Sequence, residues 1–355
     1  MRALRYHGPQ DLRLDAIDEP TCGRDQVKLN PEFAGICGTD LHEYLIGPLI
    51  IPSEPHPLTG EKVPVTLGHE FSATVVEVGS EISDIRPGDQ VAVHPLLYDS
   101  TCGPCKRGQP NCCATSASIG FHASTTGGFA QQIVVPRENV FKLPPTVSLE
   151  EGALIEPIAV AWHAVENSPF QQGDDALVVG AGPVGLAVIQ VLKARGAGRI
   201  VVSEISTRRR ELAKELGATH LLDPRAPDVV AKCKEICDGE GPAIVLDAAG
   251  VQAGLDLALN ASRVGATIVN IATWKEQPRL NTLALLLGEK KYIGTLVHVK
   301  EDFAEVIEAM GSGLIQPKAM ISSVIPLDDA VEKGFKALIA DKDSLVKVLV
   351  KVQDH

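Results

Sequence analysis

Short apolar runs separated by Gly and Pro dominate roughly the first 150 residues. Residues 63–67, 72–78 and 90–93 are such runs, and Gly79 and Pro95 are among the residues that interrupt the chain between them. Short apolar or alternating runs bounded by turn residues are typical of strands. This part of the chain is therefore predicted to be a β-rich, barrel-like domain with long loops.

Beyond residue 156, apolar runs alternate regularly with stretches of helical length. The predicted strands are residues 176–179, 199–203, 243–247 and 267–271. Helices are predicted up to Arg195, over residues 207–216 and after Gly250. Strands that alternate with helices in this way form a parallel sheet with helices on both faces. The sequence thus predicts an α/β, doubly wound domain of the Rossmann type.

After about residue 300 the pattern becomes helix, loop, helix and a final apolar run. The helices are predicted at residues 302–310 and 327–340, and the run covers residues 345–350. Because a terminal strand needs a sheet to join, we expect this segment to return to the first domain. The predicted organisation is a β-rich catalytic domain over residues 1–155, a dinucleotide-binding domain over 156–305 and a C-terminal return over 306–355.

The charge of the chain excludes one class of partner. The net charge is −12 and the isoelectric point is near 5.3. Nucleic-acid affinity comes largely from clustered Lys and Arg, so no nucleic-acid partner is expected.

The apolar stretch over residues 176–192 is interrupted by Gly and Pro, which favours a strand, a turn and a helix over a membrane span. No membrane partner is expected either.

The chain has eight cysteines, and their chemical role depends on whether the cellular compartment is oxidising or reducing. Residues 1–8 are too polar for a secretory signal peptide, so a cytoplasmic protein is expected. In a reducing compartment, cysteines are metal ligands, catalytic groups or core residues more often than disulfides. The spacing of the cysteines has to distinguish these uses.

A glycine-rich turn follows the first predicted strand of the α/β domain and opens an apolar helix. Its residues are Gly180, Gly182, Pro183, Val184 and Gly185. In a dinucleotide-binding turn, the first glycine makes the bend, the second admits a pyrophosphate and the third lets helix and strand pack closely. The helix N-terminus then stabilises the phosphate charge.

An acidic residue, Glu204, ends the next predicted strand at the distance that a dinucleotide-binding fold requires. Its carboxylate would accept hydrogen bonds from the adenosine ribose and repel a 2′-phosphate, which favours NAD over NADP. Arginines follow at positions 208–210, and one of them, Arg209, is a candidate contact for the cofactor and for such a phosphate. A solvated helix start is the alternative interpretation for most of this run.

Ligand types that zinc prefers occur at three places in the chain. Cys37 lies in a loop, His69 and Glu70 follow the run 63–67, and Glu156 precedes the dinucleotide domain. Thiolate, imidazole and carboxylate are all zinc ligands, and three protein ligands with one open position characterise catalytic zinc. A single Cys or His would more often be a core residue, so the prediction depends on the combination.

Together these motifs resemble the zinc-containing medium-chain alcohol and polyol dehydrogenases, over essentially the whole chain. The resemblance is carried by residues 1–8, 35–44, 56–61, 65–71, 156–163 and the turn at Gly180. The segments 41–44 and 57–60 move it toward the branch that acts on 2,3-butanediol. The resemblance implies a GroES-like catalytic domain beside a Rossmann domain.

The resemblance also implies roles for individual residues. Cys37, His69 and a carboxylate would hold the catalytic zinc, which favours the alkoxide of the substrate. Ordinary ethanol-type relatives have cysteine where this chain has Glu156. Glu70 and Glu156 both remain candidates for the carboxylate, and Glu70 is alternatively a support outside the coordination sphere.

A proton relay is implied by the same resemblance. Thr39 corresponds to the hydroxyl that receives the proton in relatives, and His42 would pass it to solvent through the cofactor ribose. The alternative interpretation of His42 is a surface or helix-cap histidine.

A second cysteine cluster lies in a loop rich in Gly and Pro that buries little apolar surface. A closed metal site would order such a loop. Relatives place four cysteines here, and alignment with their spacing puts Asp99, Cys102, Cys105 and Cys113 on the four positions. The alternatives are Cys112 in place of Cys113, or a loop without metal. Cys233 and Cys237, one helical turn apart, are predicted to be packing residues.

We therefore expect an enzyme that oxidises a small secondary alcohol or vicinal diol with NAD and zinc, and the resemblance favours the interconversion of (R,R)-2,3-butanediol and acetoin. Rival substrates are sorbitol-like polyols and L-threonine. A different class would be a non-catalytic dinucleotide-binding protein or a zinc-free reductase. Relatives are dimers or tetramers, and the apolar segments 282–287 and 292–297 are predicted either to extend a sheet across subunits or to form a buried core strand.

Overall fold

The computed structural model describes residues 1–122 and 127–353. The strands of these residues, in chain order, are β1 (Arg2–Gly8), β2 (Asp11–Ala16), β3 (Gln26–Gly35), β4 (Val65–Thr66), β5 (Glu70–Val78), β6 (Gln90–Val93), β7 (Leu96–Leu97), β8 (Ala117–Ser118), β9 (Ile133–Pro136), β10 (Val140–Lys142), β11 (Ala176–Val179), β12 (Ile200–Ser203), β13 (His220–Leu222), β14 (Ile244–Asp247), β15 (Thr267–Asn270), β16 (Lys291–Gly294), β17 (Ile321–Pro326) and β18 (Lys347–Lys351).

The α-helices of the same residues are α1 (Gly38–Ile46), α2 (Gly103–Lys106), α3 (Leu149–Gly152), α4 (Ile155–Glu166), α5 (Pro183–Ala194), α6 (Thr207–Leu216), α7 (Val229–Ile236), α8 (Gln252–Ala261), α9 (Thr282–Leu287), α10 (Lys300–Gly311) and α11 (Lys336–Ala340). None of them combines the length and the apolar character needed to span a bilayer.

The chain divides into two compact units. The first comprises residues 1–156, 299–312 and 321–355, and the second comprises residues 157–298 and 313–320.

The first unit is built mainly from antiparallel strands. Its largest sheet has the order β10-β6-β5-β3-β18-β17, and β9 also pairs with β3. A smaller sheet has the order β2-β1-β4. The final strand, β18, pairs with β3 and places Leu349 opposite Gly35. The apolar faces of these strands bury one continuous core that includes Leu4, Phe71 and Val348.

The second unit is a six-stranded, all-parallel sheet with the order β13-β12-β11-β14-β15-β16. Its central strands β11, β12 and β14 are buried at every position, which explains their continuous apolar sequences. From β11, the chain first adds β12 and β13 on one side of the sheet and then β14, β15 and β16 on the other. The boundary between β11 and β14 is therefore a switch point, where open α/β sheets bind ligands. The predicted fold class, a GroES-like β-rich domain with a Rossmann domain, is confirmed.

The strand expected over residues 282–287 is wrong, whereas a role of these residues between subunits stays a prediction. These residues form the short helix α9 rather than a strand, and Leu283, Leu286 and Leu287 are 60%, 71% and 74% exposed. Leucine is a good helix former, and the Asn281 side chain accepts a hydrogen bond from the Ala284 N–H at the start of the helix. The following strand, β16, is limited to Lys291–Gly294.

Candidate active site

Helix α1 positions the first group of candidate ligands. Cys37 precedes the helix, and its backbone N–H donates to Asp40 Oδ2 at 2.8 Å. This bond fixes the carboxylate of Asp40, which is fully buried, and leaves its other oxygen, Oδ1, 3.6 Å from His69 Nδ1. A histidine that binds a metal commonly directs its other ring nitrogen to a carboxylate. Asp40 therefore orients His69 beside Cys37.

His69 is buried, and the ring of Phe121 packs on it with the ring centroids 4.6 Å apart. Burial lowers the pKa of His69, but the carboxylate of Asp40 and the sulfur of Cys37 act in the opposite direction and raise it well above its usual range. The imidazole thus lies between a carboxylate and a sulfur, an environment that suits a metal cation.

Glu70 follows His69 at the start of β5 and is 1% exposed. Atoms of Cys37, His69 and Glu70 that can bind a metal lie within 4.8 Å of one another. The two carboxylate oxygens of Glu70 accept hydrogen bonds from Lys347 Nζ at 2.8 and 2.5 Å. Glu70 is therefore close enough to bind a metal but is held by a buried cation.

Glu156, in the first turn of α4, is also buried, with 7% exposure. Its charge acts on Lys347 in the same direction as those of Glu70 and Cys37. Glu156 is not part of the compact cluster of Cys37, His69 and Glu70. Both carboxylates that the sequence left open are thus buried near the same lysine.

The donor set of this cluster fits zinc. It offers one sulfur, one imidazole nitrogen and carboxylate oxygens, the combination found in catalytic zinc sites. Among the described residues, His69 Nδ1 and Asp40 Oδ1 have no hydrogen-bond partner, and they face each other at 3.6 Å. The buried carboxylates of Asp40, Glu70 and Glu156 outnumber the one buried lysine of this region, Lys347, so a metal cation would lower the cost of burying these charges.

The two predicted relay residues lie on α1. Thr39 Oγ1 is 3.8 Å from Cys37 Sγ, and His42 is half-buried three residues further along the helix. Residues three apart on a helix occupy the same face. Thr39 and His42 are therefore neighbours on one face of α1.

The second cluster is assembled from Asp99, Cys102, Cys105 and Cys113. Cys113 is buried and belongs to it, whereas Cys112 is exposed and does not. The Sγ atoms of Cys102 and Cys105 are 3.4 Å apart. The structure thus brings together the four residues that the spacing of relatives selected.

The cysteine lobe also fits a metal. Asp99 Oδ1 accepts hydrogen bonds from the N–H groups of Thr101 and Cys102, which hold the pKa of this carboxyl well below its usual range. Burial raises the pKa of Cys105 to about 12, helped by the neighbouring Cys102 and Cys113. Several sulfurs this close cannot all become thiolates without a cation, which zinc would provide.

The glycine-rich turn connects β11 to α5 in the second unit. Gly180 has φ of +89°, a conformation that side chains other than glycine rarely adopt. A Cβ on Gly185 would lie 2.0 Å from the Gly180 carbonyl oxygen, so only glycine allows this approach of helix and strand. At Gly182 the nearest atom to a Cβ would be Arg209 Nη1 at 3.9 Å, which leaves room for a ligand.

Glu204 lies directly after β12 and contacts this turn. Its Oε2 accepts a hydrogen bond from the Ala181 N–H at 2.7 Å, and its Oε1 accepts one from the Ser206 N–H at 2.8 Å. Arg210 donates to the carbonyl oxygens of Glu204 and Ile205, so its guanidinium fixes the loop. Of the three arginines at positions 208–210, Arg209 places its Nη1 atom next to Gly182.

Family models match both parts of the chain. The alcohol dehydrogenase GroES-like domain matches residues 23–145, and the zinc-binding dehydrogenase model matches residues 183–312. The chain is 39% identical to the (R,R)-butanediol dehydrogenase of Bacillus subtilis over 353 residues, 99% of each chain. The chain belongs to the zinc-binding alcohol dehydrogenase family. It is therefore an oxidoreductase whose cofactors are zinc and a nicotinamide dinucleotide.

Other members of the zinc-binding alcohol dehydrogenase family match along the whole length. The (R,R)-butanediol dehydrogenase of Saccharomyces cerevisiae is 37% identical, with coverage of 100% of this chain and 99% of the relative. The crystal structure of 2R,3R-butanediol dehydrogenase from Bacillus subtilis superimposes with a TM-score of 0.92 at 38% identity, over 99% of each chain. The family predicted from the sequence is confirmed.

Two residues of the site were not predicted from the sequence. Asp40 has a signal, because an acidic residue three positions after a helix N-cap commonly accepts a hydrogen bond from it. Lys347 has only a weak signal, a lysine within an otherwise apolar final strand. Its partner Glu70 is 277 residues away, so the contact could not be foreseen.

Proposed function

We propose that this enzyme interconverts (R,R)-2,3-butanediol and acetoin with NAD, using a zinc ion held by Cys37, His69 and a carboxylate. The supporting observation is the cluster of Cys37, His69 and Glu70, within 4.8 Å, in a chain 39% identical to a butanediol dehydrogenase over its full length. Small diols and ketones are the proposed substrate class.

Bound zinc would supply Lewis-acid polarisation of the substrate hydroxyl, and a bound nicotinamide dinucleotide would supply the hydride acceptor. The chain itself contributes ligands and a path for the proton. Asp40 orients His69 through the 3.6 Å contact with Nδ1. The Thr39 hydroxyl takes the proton released by the substrate, and His42, on the same face of α1, passes it toward solvent.

The dinucleotide site supports the choice of NAD. The pyrophosphate would lie at the N-terminus of α5, where Gly182 leaves the backbone accessible. The buried carboxylate of Glu204 would accept hydrogen bonds from the ribose hydroxyls and repel a 2′-phosphate. Arg209 would contact the cofactor from the side of the turn.

A substrate panel tests this proposal. Initial rates with (R,R)-2,3-butanediol, meso-butanediol, sorbitol and L-threonine, each with NAD and with NADP, separate the rival activities. We expect kcat/KM for (R,R)-2,3-butanediol with NAD to exceed the values for sorbitol and threonine by about tenfold or more. A clear preference for sorbitol or threonine contradicts the proposed substrate, and a preference for NADP contradicts the role of Glu204.

For the second cluster, we propose a structural zinc bound by Asp99, Cys102, Cys105 and Cys113. Cys112 and Cys113 provide a matched pair, because they are adjacent and only Cys113 belongs to the cluster. We expect Cys113→Ala to lower the zinc content from two ions to one per chain and the melting temperature by roughly 5 °C. Cys112→Ala should leave both unchanged. Equal zinc content in the two variants, measured by atomic emission, would refute the proposed ligand set.

We further propose that the enzyme is a homo-oligomer, a dimer or a tetramer, formed through the second unit. Strand β16 is an edge of the parallel sheet, and the preceding helix α9 exposes three leucines. Such exposed apolar groups beside an open edge are typical of interaction surfaces. Light scattering that gives the mass of one chain would contradict this proposal.

A cytoplasmic location is proposed as well. All eight cysteines are free, including the exposed Cys112 and the buried Cys233 and Cys237. Free thiols persist in a reducing compartment.

A further inference from the structure

A buried acid that the proposed chemistry does not use lies at the end of β14. Asp247 is fully buried, and its Oδ1 accepts hydrogen bonds from the N–H groups of Ala249 and Gly250 at 3.0 and 3.1 Å. An aspartate that accepts such bonds from the residues that follow it closes a tight backbone turn. Residues 248–250, called here the Asp247 loop, are therefore held by this one side chain.

The carboxyl group of Asp247 is enclosed by the sheet and by α8. A Cβ on Gly254 of α8 would lie 2.8 Å from Val179 Cγ1 and 4.0 Å from Asp247 Oδ1, so the helix lies directly against this part of β11 and β14. Burial raises the pKa of Asp247, and the bonds from Gly250 and Ala249 offset this effect only in part.

The second oxygen of this carboxyl group makes its burial costly. Asp247 Oδ2 is buried and has no hydrogen-bond partner within the part of the chain that the structure describes. An unpaired polar atom in the interior costs free energy, and proteins retain such atoms mainly where the same group has another task. For Asp247, the other task is the pair of hydrogen bonds at Oδ1.

The Asp247 loop packs against the dinucleotide turn. The N–H of Ala248 donates to the carbonyl oxygen of Val179, the last residue of β11, at 3.0 Å. A Cβ on Gly180 would lie 3.0 Å from the Cβ of Ala249 and 3.3 Å from its Cα. The first glycine of the turn therefore has the Asp247 loop as its immediate neighbour.

The same turn is held from its other side by Glu204. Strands β12 and β14 flank β11 in the parallel sheet. Glu204, directly after β12, accepts a hydrogen bond from the Ala181 N–H at 2.7 Å, whereas Asp247, at the end of β14, acts through its loop. The turn after β11 thus lies between two buried acidic residues, one from each neighbouring strand.

We propose that Asp247 is a positioning residue for the nicotinamide dinucleotide, because its carboxyl group fixes the Asp247 loop and thereby supports the glycine turn in the form that binds the pyrophosphate. This inference rests on the proposed dinucleotide site at the turn. The role requires an acceptor at Oδ1 but not a negative charge, so an amide can replace the carboxyl group. Without an acceptor, two N–H groups lose their partner and the loop no longer stays closed against Gly180.

Three variants separate positioning from general stability. Asp247→Asn keeps an acceptor oxygen at nearly constant volume, and Asp247→Ala removes it. Asp175→Ala is the matched control, because Asp175 directly precedes β11 at the end of the strand opposite the turn, and its Oδ1 also accepts a backbone hydrogen bond, from the Arg199 N–H at 2.8 Å. Both alanine variants therefore remove a buried or half-buried acceptor from the same sheet.

We expect the dissociation constant for NADH, measured by its fluorescence, to rise by about tenfold or more in Asp247→Ala. Asp247→Asn and Asp175→Ala should bind NADH within about twofold of the parent, although Asp175→Ala melts at a lower temperature. In activity assays, KM for NAD should rise in Asp247→Ala while kcat at saturating NAD stays within about twofold, the pattern of lost cofactor binding rather than lost chemistry.

Three results would overturn the inference. NADH binding like that of the parent in folded Asp247→Ala would make the Asp247 loop a structural turn only. Equal weakening in Asp247→Ala and Asp175→Ala would reflect general loss of stability, and equal weakening in Asp247→Asn and Asp247→Ala would assign the effect to charge.

A second variant covers the case in which Asp247→Ala does not fold. Asp247→Ser retains a shorter hydroxyl that makes a weaker turn of the same kind. We expect its dissociation constant for NADH to rise by about threefold, and a value equal to that of the parent would contradict the inference. A parent protein that fails to bind NADH would instead reject the dinucleotide site itself, and the proposed function with it.

Discussion

Replacement of Gly185 by alanine should abolish useful dinucleotide binding. A Cβ at this position would lie 2.0 Å from the Gly180 carbonyl oxygen, a contact that backbone atoms cannot relieve without moving α5 away from β11. The displaced helix N-terminus would no longer face the pyrophosphate. We expect the dissociation constant for NADH, measured by its fluorescence, to rise by about 100-fold.

Gly294 offers the control for this variant. It lies on β16 in the same unit, and a Cβ there would meet no atom within 4 Å. Gly294→Ala should therefore bind NADH like the parent. Tight NADH binding by a folded Gly185→Ala protein would show that the turn is structural rather than a cofactor site.

The α/β part of the fold was largely predictable from the sequence. The strand over residues 176–179 and the helix over 207–216 coincide with β11 and α6. A parallel strand covered on both faces is apolar throughout, and glycine or a capping residue marks its neighbouring helix, so the sequence signal is local.

The β-rich part was less predictable. The apolar run 63–67 yields only the two-residue strand β4, because pairing with β1 is limited to Val65 and Thr66. The apolar run 282–287 predicts a strand, but these residues form α9 with three of their leucines exposed. Apolar composition alone does not distinguish a short buried strand from an exposed helix, since the difference lies in contacts with other segments or chains.

The same limit applies to the candidate site. Cys37, His69 and the glycine turn follow motifs with known spacing, so they could be identified as candidates. The sequence does not show that Glu70 is paired with Lys347, because this lysine lies 277 residues away along the chain. Long-range pairing of charges leaves little trace in a single sequence.

A zinc ion held by Cys37 and His69 would supply the Lewis acid for the proposed reaction. Cys37→Ala removes one of its ligands, and Cys22→Ala removes a half-buried thiol that belongs to neither cluster. Because the Lewis acid contributes several kcal/mol to the barrier, we expect kcat/KM for the diol to fall by about 10³-fold or more in Cys37→Ala. The variant should lose one zinc and still bind NADH, and Cys22→Ala should behave like the parent.

The decisive measurement is the rate of diol oxidation by Cys37→Ala protein that is folded and binds NADH. Our account predicts a rate near background together with one zinc per chain instead of two. Oxidation at the parent's rate by this protein would contradict it.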